Sequence, residues 1–158
     1  DDTLKFLENY ELNTVIYDTL DKLANTVTEP TYNNEWSVIS LARGGYLDKN
    51  SEYFKGYYNR LAEEVNSKAS SVDKNGALNK NKYTENSRVT IALSSIGKNA
   101  HSVGDWDILA PLEDFDAVTK QGLNGPVFAL IALDSNNYKT TDSTIRQQYI
   151  DYILDDIL

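Results

Sequence analysis

The groups in this chain best suited to acid–base or metal chemistry are its one histidine, His101, and the carboxylates Asp105 and Asp107. A Ser-His-Asp site needs a serine held where a histidine can take its proton, commonly on a strained elbow. Serine and aspartate are plentiful, but no nucleophile-elbow pattern accompanies them. His101 lies in the polar run Lys98-Asn-Ala-His-Ser-Val-Gly-Asp105, which reads as a surface loop. Asp105-Trp-Asp107 spaces two carboxylates as a calcium loop would, without further ligands nearby. Asp155-Asp156 reads as solvated surface at a helix end. There is no cysteine, so disulfides, thiolate metal sites and cysteine nucleophiles are excluded. No catalytic residue, metal ligand or cofactor is assigned from these groups.

Recognition chemistry has better candidates. Arg43 and Arg88 stand in otherwise apolar segments, where an arginine either forms an ion pair that locks neighbouring helices or contacts an anionic ligand. Trp36, Trp106 and Phe128 are large aromatics that serve either as core or as a ligand platform. Trp36, Arg43, Arg88, Trp106 and Phe128 form the candidate ligand-binding set.

Three short segments must position most of these residues: Trp36-Ser-Val-Ile-Ser-Leu-Ala-Arg-Gly-Gly45, Ser87-Arg-Val-Thr-Ile-Ala-Leu-Ser-Ser-Ile-Gly97 and Gly125-Pro-Val-Phe-Ala-Leu-Ile-Ala-Leu-Asp134. Each is apolar nearly all round and poor in charge, as expected of a helix buried on most sides. Aligned on Leu41, Leu93 and Leu130, each has a small residue just before the leucine and a chain-reversing residue four positions after it (Gly45, Gly97, Asp134). The spacings are 52 and 37 residues. A period near 40 with two helices per unit predicts a stacked array of α-hairpins, with an inner layer made by these segments.

The remaining elements follow from periodicity and breakers. Residues 3–27 read as a long helix with Phe6, Tyr10, Tyr17, Leu20, Ala24 and Val27 on one face, ended at Pro30. Asn33 or Asn34 caps the second helix, with Glu35 favouring its positive end. Ser51 caps a third, from about Glu52 to Lys68, with Phe54, Tyr57, Tyr58, Leu61 and Val65 as its buried stripe. Residues 69–84 are polar and predict a flexible surface loop. A helix or turn around 106–115 is interrupted at Pro111. Pro126 suits the first position of the next helix. A last helix, capped by Asp142 or Ser143, turns Ile145, Tyr149, Ile150, Ile153 and Ile157 inward.

Gln121-Gly-Leu-Asn-Gly-Pro-Val-Phe-Ala-Leu-Ile-Ala-Leu-Asp134 with Tyr138, together with Trp36…Leu41-Ala-Arg-Gly44, Tyr53-Phe-Lys-Gly-Tyr-Tyr58 and Arg88…Ala92-Leu93…Gly97, resembles the prenyltransferase and squalene-oxidase repeat region of exported Gram-positive bacterial surface proteins. That region belongs to the terpenoid-cyclase and protein-prenyltransferase superfamily. The resemblance spans roughly residues 10–155. It implies an all-α fold, an α/α toroid of which about three hairpins and a C-terminal helix are present: a partial or half toroid in one domain, residues 1–158. It also implies an inner-helix mouth where an arginine could meet a ligand. The superfamily's catalytic signatures do not carry over. There is no Asp-x-Asp-Asp or Asp-Asp-x-x-Asp run, no Asp-Cys-His zinc set and no Gln-Trp repeat. The expectation is therefore a non-enzymatic module binding a small molecule or a protein. The alternatives are a cyclase-type or prenyltransferase-type enzyme fragment with its motifs elsewhere in a larger parent, and a cobalamin-carrier-like domain.

The chain's 158 residues suffice for one domain with a real core. A net charge of −9 argues against nucleic acid and anionic membrane as partners. No apolar run approaches the roughly 18 residues of a membrane span. The lack of methionine suggests a chain without its start, from an exported protein whose leader is removed or a larger parent. An extracellular or cell-surface location is expected. A half ring would expose inner-helix edges, so self-association or association with the rest of a parent toroid is expected as well.

Overall fold

The computed structural model of the chain describes residues 1–72 and 75–158. Their helices are α1 (Asp2–Thr26), α2 (Glu35–Arg43), α3 (Glu52–Val72), α4 (Thr84–Ser95), α5 (Phe115–Thr119), α6 (Asn124–Asp134) and α7 (Ile145–Ile157), with a 3-10 turn at Ala110–Glu113. Among the described residues there is no strand, only one antiparallel bridge between Val103 and Trp106. The chain is all-α.

The three apolar segments are α2, α4 and α6, and they lie side by side and parallel. At the start of the row Arg88 of α4 bonds Glu35 of α2, and Gln121, just before α6, accepts from the Thr84 amide. At its far end Arg43 of α2 bonds Ser95 of α4, and Ser94 of α4 bonds Ser135 at the end of α6. α4 is the centre, with eight of its twelve residues buried. α3 returns the chain between the ends of α2 and α4, burying Phe54, Tyr57, Leu61, Val65 and Ala69 at three- and four-residue spacing.

Each inner helix stops with the same hydrogen bond. The amides of Tyr46, Lys98 and Tyr138 donate to the carbonyls of Leu41, Leu93 and Leu133 at 3.1, 2.8 and 2.9 Å. Gly45, Gly97 and Asn137 supply the left-handed residue that this closure needs, at φ 69°, 73° and 49°. The third unit is thus anchored on Leu133 and Asn137, not on Leu130 and Asp134, and the second spacing is 40 residues. Ala-Leu occurs at 129–130 and again at 132–133, and asparagine rather than glycine adopts the left-handed conformation, so the sequence pattern slips by three.

Other expectations need correction. α3 runs on to Val72, and Ala77, Leu78 and Tyr83 are buried, so residues 69–84 are not a surface loop; residues 73–74 of that stretch lie outside the described residues. Asn86, wholly buried, ties the segment down: its Oδ1 accepts from the Leu78 amide and its Nδ2 donates to the Gly76 and Ile108 carbonyls. Asn34 flanks α2 without a side-chain cap bond, and Pro126 is the third residue of α6 rather than the first. In α7 only Ile145 and Tyr149 are buried, while Ile150 and Ile157 face solvent. α1 docks through Leu20, Leu23 and Ala24, and the Tyr17 ring meets that of Tyr46 at 5.4 Å, but Phe6 and Tyr10 are exposed.

α5 and α6 touch backbone to backbone. A Cβ on Gly125 would lie 1.8 Å from the Val118 carbonyl oxygen. Gly125→Ala should therefore force the two helices apart and cost about 1–3 kcal/mol, read as a lower urea midpoint at unchanged slope. An unchanged midpoint would show that this junction yields freely.

Candidate functional site

The site grows from a buried carboxylate. Glu35 opens α2 and its side chain is fully shielded from solvent. Its Oε1 accepts from Arg88 Nε at 2.8 Å and from the Asn33 amide at 2.9 Å. Its Oε2 accepts from the Tyr57 hydroxyl at 2.9 Å. Asn33 reaches this geometry through a left-handed backbone (φ 81°), and its Oδ1 accepts from the Arg88 Nη2 at 3.0 Å. α2, α3 and α4 are thereby joined at one carboxylate. Tyr32 completes the cluster: its hydroxyl donates to Glu85, and its ring carries the Lys68 ammonium at 4.5 Å and the Arg88 guanidinium at 5.3 Å.

Burial first, and the Glu35 charge and hydrogen bond second, push the Tyr57 phenol well above its ordinary value. Burial and the Glu85 hydrogen bond do the same for Tyr32. Burial alone would lower the Arg88 guanidinium, but the hydrogen bond and charge of Glu35 outweigh it and hold it above its ordinary value. Both Glu35 oxygens are engaged and shielded, so this carboxylate locks helices rather than moving protons.

On its outer side the lock positions a pocket. Arg88, with 21% of its side chain exposed, lines a cavity of about 120 Å³ with Trp36, Thr84 and Phe128. The Trp36 and Phe128 rings are 6.3 Å apart, tilted by 57°. Trp36 is 52% exposed, so it is not a core residue. Three of the five candidate residues therefore converge. They are also equivalent in the repeat, since Trp36, Arg88 and Phe128 each stand five residues before the anchoring leucines Leu41, Leu93 and Leu133.

The other two candidates lie elsewhere. Arg43 Nε donates to Ser95 Oγ at 2.8 Å, at the opposite end of the row. Trp106 Nε1 donates to Asn66 of α3 at 3.0 Å, and its ring packs against the core. His101 Nδ1 is 2.9 Å from Asp107 Oδ2, while Asp107 Oδ1 accepts from the Leu109 and Ala110 amides and so caps the 3-10 turn. Among the described residues no cluster of three or more His, Asp or Glu side chains could hold a metal ion. Glu35, Tyr32, Tyr57 and Thr84 escape a reading by residue type; the one available sign is a carboxylate at the head of an apolar helix, one repeat away from an arginine.

Glu35→Ala strands a half-buried guanidinium and the buried Tyr57 hydroxyl, and should cost about 3–5 kcal/mol in denaturant unfolding. Glu35→Leu combined with Arg88→Met should recover most of that loss. Equal losses in the single and double variants would show that the two residues act independently.

Because the folded-state phenols of Tyr32 and Tyr57 are raised, folding keeps them neutral. That contribution is fully present below the ordinary tyrosine value of 10.0 and is lost as pH rises above it. Alkaline titration should show fewer than the chain's eleven tyrosines forming phenolate until helical circular dichroism collapses. Eleven phenolates in an intact helical protein would contradict the arrangement.

Comparison of the chain with protein-family models, with curated proteins and with solved structures finds no match in any of the three.

Proposed function

We propose that this chain is a non-enzymatic binding module whose ligand seats at Trp36, Arg88 and Phe128. The observation that carries the reading is that one repeat position, seen in three parallel helices, gathers an exposed tryptophan, a tethered guanidinium and a phenylalanine around a single opening. Two tilted rings accept a flat apolar group, and a guanidinium fixed on one side by Glu35 offers its remaining donors to an anion. A cavity of about 120 Å³ is close to the roughly 150 Å³ that holds a benzene-sized group. The ligand class is accordingly an aromatic or short apolar anion. A corrin ring far exceeds this opening, so the corrinoid reading has less support. A cyclase-type enzyme would need its acid motif from other residues, because Glu35 is fully engaged.

A second reading, association with a further helix, has its own support. Ser87 and Ile91 of α4 are buried, and Glu35 of α2 is turned to α4, yet the equivalent Val127 and Ile131 of α6 are 37% and 48% exposed. The last inner helix thus presents a bare flank of the kind that the first two cover, consistent with an incomplete ring of the resembled toroid type.

The first reading is tested by fluorescence. In Trp106→Phe the only tryptophan is Trp36. Titration with phenylalkanoates should quench it saturably, with about tenfold weaker binding of the matching phenylalkanols. Phe128→Ala, which leaves the Glu35–Arg88 pair intact, should abolish the response. A response that survives Phe128→Ala, or none at all, would remove the pocket from consideration.

A further inference from the structure

The opposite end of the row, where α2, α4 and α6 stop, holds two open cavities that share Asn136. One, of about 440 Å³, is lined by Arg43, Lys49, Ser94, Ser95 and Ser135 besides Asn136. The other, of about 500 Å³, is lined by Lys98, Asn99, His101, Asn137 and Lys139 among others. No aspartate or glutamate lines either cavity, in a chain with 24 acidic residues against 15 Lys and Arg. Among the described residues, Arg43, Lys49, Lys98 and Lys139 take part in no ion pair. Cations near helix C-termini offset the helix dipole, which accounts for Arg43 in the last turn of α2. Lys49 and Lys139 belong to the segments that follow α2 and α6, not to the last turns of those helices. The Ser95 hydroxyl holds Arg43 by Nε alone, at 2.8 Å, which leaves the outer guanidinium donors directed away from this bond. Around the cations stand hydroxyls and carboxamides, which pair with sugar-like hydroxyls as donors and acceptors.

We propose that this face binds a small hydroxylated molecule with at least two acidic groups, one in each cavity and the hydroxylated body across Asn136. A small ligand fits the charge distribution better than a long polyanion. Local cations act within a screening length of about 8–10 Å, whereas a polymer running past the groove meets the repulsion of a −9 chain. Phosphate and carboxylate share the required oxyanion chemistry, and the probes separate them. Calorimetry at low salt with fructose 1,6-bisphosphate, citrate, glucose 6-phosphate and inorganic phosphate should show saturable binding of the bisphosphate or of citrate at least about tenfold tighter than either monophosphate probe. Arg43→Gln and Lys139→Gln, one change in each cavity and both at exposed side chains, should each reduce that binding to the monophosphate level with the circular dichroism spectrum unchanged. Lys5→Gln with Lys22→Gln on α1 should leave it intact. Phe128→Ala should also leave it intact, which separates this site from the aromatic pocket. No saturation with any probe up to about 10 mM, or equal weakening by the α1 changes, would overturn the proposal.

Discussion

A buried carboxylate has to be compensated, and Glu35 organises its surroundings by that requirement. Moving an isolated carboxylate out of water costs far more than any single packing contact returns. Its two oxygens are met by three donors that come from α3, from α4 and from the turn before α2. None of the three elements can shift alone without stranding a charge or a buried hydroxyl. Close packing of the fully buried Val38, Leu41 and Leu93 resists slides of α2 along α4. The Glu35–Arg88 bond adds a directional constraint at the polar end of the row, as the Arg43–Ser95 and Ser94–Ser135 bonds do at the far end.

Closure at the other end is backbone work. Three leucine carbonyls accept from amides five residues on, and each closure uses a left-handed residue. The two ends of the row therefore differ in kind. The starting end is a side-chain network that holds an aromatic opening beside it. The finishing end is a set of satisfied turns that leaves hydroxyls, carboxamides and cations facing outward. The −9 net charge does not describe the finishing end, because carboxylates are concentrated elsewhere, along α1 and α7 for example.

Much of the architecture was legible in the sequence because it depends on local rules. Pro30, Gly45 and Gly97 mark breaks that any backbone must obey, and the apolar stripe of α3 repeats at helical spacing. The failures have equally local causes. Residues 69–84 look like solvent-exposed chain by composition, yet three apolar side chains and the buried amide of Asn86 are enough to fold the described part onto the core. α1 and α7 carry apolar stripes that suggest inward faces, but periodicity reports that a face exists, not that anything covers it. The candidate site was legible residue by residue and not as a site. Tryptophan, arginine and phenylalanine stand out by type, but their equivalence is hidden by the three-residue slip between Leu130 and Leu133. The partner of Arg88 is hidden too, since a glutamate in a first turn has a sufficient local explanation in the helix dipole.

The corrected register turns the chain into its own comparison set. Where the three units agree, as at Leu41, Leu93 and Leu133, the side chains are buried and the agreement reflects packing. Five residues earlier the backbone is equally repeated, yet the side chains are Trp36, Arg88 and Phe128, an apolar platform, a cation and a second ring. Packing alone gives no reason for such different groups at equivalent places, and neither does helix propensity, which differs little among them. Their common property is the opening they line. The repeat holds the backbone constant while varying the side chains around one cavity. The lock at Glu35 fixes the orientation of the one charged member of the three.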